Sequence, residues 1–371
     1  MKQLVFLGDT STDRLHSCLH NIGSKKIFLV RGKKSYELCG AKHYIESAIA
    51  PLNCTLYEFY EFEENPKISD VERGLTYLVE QGADIVVAIG GGSVIDMAKL
   101  IRFFYSYKGD FKKNNFIKEK ELLPFISIPT TAGTGSEATH FAVVYKDRVK
   151  HSVAHKDILS DISIINPSFT YNNPKYLAAC TGFDALAQAI EAYWSIHATE
   201  ESDSYAIHAI ELLWKNMPLA VNSKIKESLN NISEGSYWAG KAINIAKTTA
   251  PHAMSYAFTS YYNVPHGHAV ALTFPFFIAF NTNIPEKEYK GNITHKNYVE
   301  KINILFTILE VDKSDLISFV FQNYISLLGL SSVLGFDKKI IISNINMERM
   351  ENNPRALTQK YINDVLDSIH L

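Results

Sequence analysis

Cysteine is scarce in this chain of 371 residues, and the four present, Cys18, Cys39, Cys54 and Cys180, are scattered with no CxxC spacing. That pattern argues against a thiolate metal site and fits a reducing cytosol. Long hydrophobic runs are missing too. The N-terminal MKQLVFLGDTSTD contains an apolar stretch of about five residues, well short of the roughly 7–15 of a signal-peptide core. No stretch approaches the ~18 apolar residues of a membrane span, so a cytoplasmic protein is expected. Charge of one sign is not in excess: 37 Lys+Arg stand against 39 Asp+Glu, a formal net charge of −2. Without a basic stripe, nucleic acid and anionic membrane surfaces are not expected as partners. There is no internal repeat and no low-complexity tract. Lys108–Lys120 is the one strongly charged stretch and reads as a solvated loop.

What remains is an ordinary globular composition, 46% hydrophobic and 20% charged, in a length that suits two domains or one large α/β unit. The first half alternates. Lys26–Val30, Thr55–Tyr60, Asp84–Ile89 and Phe125–Ile128 read as strands, with helical spacing at Ser69–Glu80 and Ser93–Tyr105. DIVVAI, Asp84–Ile89, is a continuous apolar run of the kind buried on both faces of a parallel sheet. This βαβ order predicts a doubly wound, Rossmann-like parallel sheet. After Asn166-Pro167 the strand runs cease, and Lys175–Ile196, Ser202–Leu219, Glu234–Ala246, Val270–Asn281, Tyr298–Leu309 and Leu316–Leu328 all show helical spacing. An α/β domain over residues 1–168 followed by an all-α domain over 169–371 is expected, the boundary falling near Asn166–Pro174.

Two loops follow strands in the α/β half. Gly90-Gly91-Gly92-Ser93 ends the buried strand and opens a helix, where close backbone approach and free N–H groups suit a pyrophosphate. It is not GxGxxG, and a tight strand–helix turn also needs glycine. IPTTAGTGSEAT, Ile128–Thr139, offers Thr130, Thr131, Thr134 and Ser136 as donors beside the small Gly133 and Gly135, either as a turn or as a cradle for phosphate or ribose.

In the helical half, Asp184 and Gln188 in TGFDALAQAIEAYWS stand four apart, and Glu191 continues that helix face. Their neighbours are apolar, so a carboxylate there is costly unless paired or bound to a cation; as an alternative, Asp184 caps the helix. TAPHAMSYAFTSYYNVPHGHAVAL, Thr249–Leu272, carries His252, His266 and His268 among apolar and aromatic residues, the last two beside Pro265 and Gly267 at an apparent loop-to-helix junction. An unpartnered buried polar group costs about 1–3 kcal/mol, so these are either hydrogen-bonded core histidines or converging ligands. One carboxylate, one amide oxygen and two imidazoles would suit iron, zinc or manganese.

GGGSVIDMAK, TTAGTGSEAT, GFDALAQAIEA, PHAMSYAFTSYYNVPHGHA and the late NNPRALT, Asn352–Thr358, together resemble the signatures of the iron-containing (group III) alcohol dehydrogenases over essentially the whole chain. The resemblance implies the dehydroquinate synthase-like architecture of a Rossmann-like domain followed by a helical one. It also implies NAD(P) and a divalent metal, Fe2+ or Zn2+, and suggests a homodimer. Position by position, Asp184, His252 and His266 match metal ligands. Gly91, Gly92, Ser93, Asp96, Thr130, Thr131, Thr134 and Ser136 fall in the cofactor loops, and Lys150 matches a lysine at the nicotinamide ribose. Gln188 stands where many members carry another ligand histidine, and Tyr256 stands where a further histidine is common.

After the second strand, where an aspartate for the ribose 2′-OH is expected, stands Gly32 between Arg31 and Lys33, with Lys34 next. Cations attract a 2′-phosphate that a carboxylate would repel, so NADP(H) is expected over NAD(H), unless these are ordinary exposed loop cations. Gln188, the SYxxTSY pattern, PHGHAVALT and the Gly32 loop are together most similar to the phosphonoacetaldehyde reductase branch, which makes 2-hydroxyethylphosphonate. Arg148, His151, His155, Lys156 and His268 are available to meet a phosphonate. The expected reaction is reduction of a small aldehyde to a primary alcohol, with His268 and Tyr256 as proton relays; His268 is alternatively a helix-start histidine bonded to backbone. Rival readings are a general iron-type alcohol dehydrogenase, a metal-free enzyme like maleylacetate reductase, a lyase-like synthase using NAD transiently, and a non-catalytic NADP-binding scaffold.

Overall fold

The computed structural model describes residues 3–8, 11, 13–146, 149–312, 314–330 and 335–369. The chain divides into two compact units, residues 1–173 and 174–371.

The first unit is built on a six-stranded sheet. Its strands are β1 (Leu4–Leu7), β2 (Lys26–Arg31), β3 (Thr55–Phe59), β4 (Ile85–Gly90), β7 (Phe125–Pro129) and β10 (Ile162–Ile165), in the order β1-β10-β7-β4-β2-β3. Every pairing is parallel. Helices α1 (Arg14–Ile22), α2 (Lys34–Leu38), α3 (Ala41–Ile49), α4 (Ile68–Gln81) and α5 (Gly92–Ser106) complete the crossovers. The continuous apolar runs are explained by strand alternation. Phe28, Val30, Val86 and Ala88 pack into one core with Val71 and Leu78 of α4 and Ile95 and Ile101 of α5. Ile27, Leu29, Ile85, Val87 and Ile89 point the other way, into a second core with Leu15, Leu19, Tyr44 and Ile45.

Two antiparallel hairpins form separate two-stranded sheets, and one differs from the expectation for its segment. Lys108–Lys120 is not a loop: β5 (Tyr107–Asp110) pairs with β6 (Asn115–Lys118). Aromatic residues between the charges hold it down. Phe103 of α5 stacks on Tyr107 at 4.5 Å and meets the edge of Phe116 at 4.9 Å. The lysines stay outside, in ion pairs such as Lys108–Glu119 and Lys118–Glu121. The second hairpin joins β8 (Phe141–Lys146) to β9 (Val149–Ala154), with Lys150 opposite Tyr145.

The second unit has no strand among its described residues. It consists of α6 (Lys175–Trp194), α7 (Glu200–Ser223), α8 (Lys226–Ala246), α9 (Ala250–Tyr262), α10 (His266–Thr282), α11 (His295–Ile308), α12 (Ile317–Leu327), α13 (Lys338–Ser343), α14 (Met347–Glu351) and α15 (Gln359–Ser368). α6 is buried almost all round from Ala179 to Trp194, as a helix apolar on every face must be. Asp184 lies deep inside it, so it is no helix cap. The expected loop-to-helix junction is the short Asn263–Pro265 connection between two helices. α9 ends where Asn263 turns left-handed (φ 54°), and α10 begins directly after Pro265. A Cβ on Gly267 would sit 1.8 Å from the Cys180 carbonyl oxygen, so only glycine lets α10 approach α6 this closely. No described helix is long and apolar enough to cross a membrane.

Candidate metal centre and cofactor loops

In the α/β unit the two loops meet. A Cβ on Gly92 would lie 2.5 Å from Thr134 Oγ1, and one on Gly91 would lie 3.4 Å from Thr131 Oγ1. The glycines therefore let the loop after β7 close onto the start of α5. Among the described residues no side chain caps α5, and free N–H groups at a helix N-terminus suit an anion. Ser93 Oγ accepts the Asn65 N–H at 3.3 Å, and the Thr130 N–H donates to Gly90 O at 3.0 Å.

Beneath this surface lies a layer of hydrogen bonds that the sequence reading did not separate from it. Ser136 Oγ donates to Asp96, which also accepts the Val143 N–H at 2.9 Å. Lys99, 0% exposed, donates to Ser136 O, Thr139 O, Thr139 Oγ1 and Phe141 O at 2.5–3.0 Å. Asp96 and Ser136 thus belong to the wiring under the loops, whereas Gly91, Gly92, Ser93, Thr131 and Thr134 line the place where the loops face each other. Burial raises the Asp96 carboxyl above its ordinary range, against the pull of Lys99, its hydrogen bonds and the Lys150 ammonium.

At the end of β2 the cations are not equivalent. Arg31 is committed to Glu58, Nε to Oε1 at 3.0 Å and Nη2 to Oε2 at 3.2 Å, with its guanidinium 3.7 Å from the Tyr60 ring centre and 4.7 Å from that of Tyr36. Gly32 is buried, while Lys33 and Lys34 are exposed.

In the helical unit, Asp184, His252 and His266 each present one ligand atom, all within 4.8 Å of one another. α6 supplies Asp184, with Gln188 and Glu191 on the same face, 3%, 4% and 0% exposed. His252 comes from the first turn of α9 and His266 opens α10. His252 Nε2 is 3.1 Å from Asp184 Oδ1, and His266 Nε2 is 3.8 Å from the same oxygen. The Gln188 amide donates from Nε2 to Asp184 Oδ2 at 3.1 Å, while its Oε1 is buried with no hydrogen-bond partner among the described residues. On its other side His252 Nδ1 meets Glu191 Oε1. Burial pushes Asp184 up, but His266, His252 and the Gln188 amide prevail and hold its carboxyl below the ordinary range. Burial pulls the His252 imidazole down, yet Glu191 and Asp184 overrule it and lift it to about 10. Without a dication a proton fills the gap between carboxylate and imidazole. The donor set is of the kind a divalent ion satisfies by displacing that proton.

Tyr256 stacks on His266, ring centres 5.7 Å apart and planes 9° apart. His268, 7% exposed, shares a hydrogen bond with Tyr176, Nδ1 to hydroxyl 2.7 Å. Tyr176 and the Glu191–His252 contact are additions to the sequence reading. Glu191 was legible as a member of the Asp184 face, but no spacing announced its partner.

Comparison with known proteins gives the chain its family. The family described as iron-containing alcohol dehydrogenase matches residues 3–167, and the Fe-containing alcohol dehydrogenase family's C-terminal region matches residues 178–323. Long-chain-alcohol dehydrogenase 1 of Geobacillus thermodenitrificans is 30% identical over 283 residues, 75% of this chain and 71% of that protein. The NAD-dependent methanol dehydrogenase of Bacillus methanolicus is 31% identical over 281 residues, 74% of this chain and 73% of its own. The alcohol dehydrogenase from Oenococcus oeni superposes with a TM-score of 0.87 at 25% identity, covering 100% of this chain and 98% of that one. Matched along both halves, the chain belongs to the iron-containing alcohol dehydrogenase family, NAD(P)-dependent oxidoreductases of alcohols and aldehydes.

Proposed function

We propose that this chain is a metal-dependent aldehyde reductase. The observation that carries the reading is the buried convergence of Asp184, His252 and His266 beside an amide oxygen, Gln188 Oε1, that has no hydrogen-bond partner among the described residues. These residues would hold the ion, with Gln188 as a fourth donor. A bound Fe2+ or Zn2+ supplies Lewis-acid polarisation of the carbonyl, and the nicotinamide supplies the hydride. The chain's own part is to place donors and move a proton. Ser255 Oγ donates to His252 O at 2.8 Å and lies 3.4 Å from His266 Nδ1, linking the two ligand-bearing segments. His268 is the proposed relay for the proton that completes the alcohol, because its Nδ1 is already coupled to the Tyr176 hydroxyl. Tyr256, stacked flat on His266, fits better as a wall that orients that ring. Chelator treatment should abolish aldehyde-dependent NAD(P)H oxidation, and Fe2+ or Zn2+ should restore it; undiminished activity after metal removal would return the maleylacetate reductase-like alternative.

The finer reading is reduction of phosphonoacetaldehyde with NADPH. Its support is the motif combination around Gln188, Tyr256 and the Gly32 loop, together with the exposed Lys33 and Lys34. Arg31 adds little to it, being paired with Glu58. Among the proposed phosphonate partners, His268 alone lies in the helical unit with the metal donors. His151 packs against Phe111, His155 Nδ1 accepts the Asp157 N–H, Lys156 is exposed, and Arg148 lies outside the described residues. An aldehyde panel assayed with NADPH and with NADH decides both points. A higher kcat/KM with NADH, or acetaldehyde outrunning phosphonoacetaldehyde, removes the corresponding half of the reading.

A further inference from the structure

The Glu191 carboxylate is 0% exposed and takes no part in the donor set proposed for the metal. A buried carboxylate is expensive unless its lone pairs are used, and here they are. Oε2 accepts two bonds from one residue, the Thr249 N–H at 2.6 Å and Thr249 Oγ1 at 2.9 Å. Thr249 Oγ1 is itself held by the Trp194 indole N–H at 2.9 Å. With Oε2 pinned, Oε1 is presented to His252 Nδ1. The chain of contacts reaches further, to the NNPRALT segment. Asn352 Nδ2 donates to Thr248 O at 2.8 Å, and Asn352 Oδ1 lies 3.1 Å from His197 Nε2. The turn that grips Glu191 is thereby fastened from the other side.

A carboxylate can only accept, so the ring nitrogen facing it must carry the hydrogen. Nε2 faces a carboxylate too, Asp184 Oδ1 at 3.1 Å, but an ion held by Asp184 would take the place of that proton, so Nδ1 keeps its hydrogen toward Glu191 and Nε2 becomes the coordinating nitrogen. We propose that Glu191 is the positioning residue of the metal centre: gripped by Thr249, it fixes the His252 tautomer and ring orientation and so sets the affinity for the ion. The inference rests on the metal reading above. The competing explanation is purely architectural, with Glu191 serving only to satisfy the Thr249 N–H at the start of α9. An architectural role lowers stability; it does not change the affinity or the electronic spectrum of an ion bound by folded protein.

The test uses the full chain stripped of metal and titrated with Co2+ against a chromophoric chelator, for wild type, Glu191→Gln and Thr249→Val. Melting of each metal-free protein is followed in parallel. Glu191→Gln should weaken Co2+ binding by roughly 10- to 100-fold and shift the visible bands of the bound ion. Thr249→Val removes one grip on Oε2 but keeps the N–H bond, and should act in the same direction by less. Affinities within about twofold of wild type and unchanged bands in the folded variants would overturn the proposal. Should Glu191→Gln fail to fold, Thr249→Val decides by the same criteria. Wild type that takes up no Co2+ would overturn the metal reading and this inference together; wild type that binds while both variants bind equally would overturn this inference alone.

Discussion

Lys99 in the α/β unit and His252 in the helical unit are both polar and both buried, 0% and 3% exposed, but Lys99 bonds to neutral oxygens and His252 to carboxylates. Lys99 ends on neutral oxygens: three backbone carbonyls and one threonine hydroxyl. Burial drags its pKa down to about 8, and Asp96 and Glu137 only partly offset this. That site is complete, its donors matched by acceptors, and what it accomplishes is to tie the loop after β7 to α5. Around His252 stand two carboxylates, a second imidazole and an orphaned amide oxygen. That site leaves one buried acceptor, Gln188 Oε1, without a partner among the described residues. The contrast separates a hydrogen-bonded fixture from a receptor for a cation.

The comparison breaks first at His252. In the His252→Ala variant turnover should fall about a thousandfold, the several kcal/mol that a carbonyl-polarising ion contributes. NAD(P)H binding, measured by nicotinamide fluorescence, should stay within about twofold. Retained turnover would mean the acceptor-rich cluster is structural after all.

Lys99→Met probes the other side. It takes the ammonium from three backbone carbonyls, of which Ser136 O and Phe141 O keep the Thr139 hydroxyl nearby, and should lower stability by on the order of 3 kcal/mol in urea titrations while leaving Co2+ affinity unchanged. Loss of the metal site instead would show that the two systems are not separable in this way. Glu137, 3% exposed, sharpens the point through pH. Burial lifts its carboxyl from 4.5 to about 7, against its own backbone N–H and Lys99. The folded chain then holds a proton that the unfolded chain has released, so this group makes stability decline as pH rises from about 4.5 to about 7. Glu137→Gln should remove that decline and leave the variant more stable than wild type above pH 7, by on the order of 3 kcal/mol.

How much of this was legible depended on whether the determining contact was local. DIVVAI followed by glycines announces a buried parallel strand and a helix start because both features are periodic and adjacent. The Asp184–Gln188–Glu191 face is likewise a matter of spacing along one helix. The convergence of His252 and His266 on that face is suggested by their residue types as one of two alternatives, and the family resemblance favours it, since nothing in α9 or α10 encodes which helix they meet. The hairpin at Lys108–Lys120 was lost because its charges hide an aromatic face whose partner, Phe103, belongs to α5. Arg31 was readable as a cation but not as the partner of Glu58, which lies on the neighbouring strand. The Trp194–Thr249 bond that helps grip Glu191 joins residues 55 apart and leaves no trace in any local pattern.

The smallest effect is the most discriminating, because at Gln188 two costs nearly cancel. Replacing the amide by leucine removes its hydrogen bond to Asp184, about 1.5–3 kcal/mol for a bond to a charged group. It also removes an unsatisfied buried carbonyl, which relieves about 1–3 kcal/mol. Metal-free Gln188→Leu should therefore melt close to wild type. Its Co2+ affinity should nonetheless fall about tenfold, near 1.4 kcal/mol, if the amide oxygen is a ligand. Gln188→His should bind Zn2+ more tightly than wild type, imidazole being the stronger donor. Unchanged affinity in Gln188→Leu would leave Asp184, His252 and His266 as a three-ligand site, and the orphaned oxygen would then have to be satisfied by water or substrate.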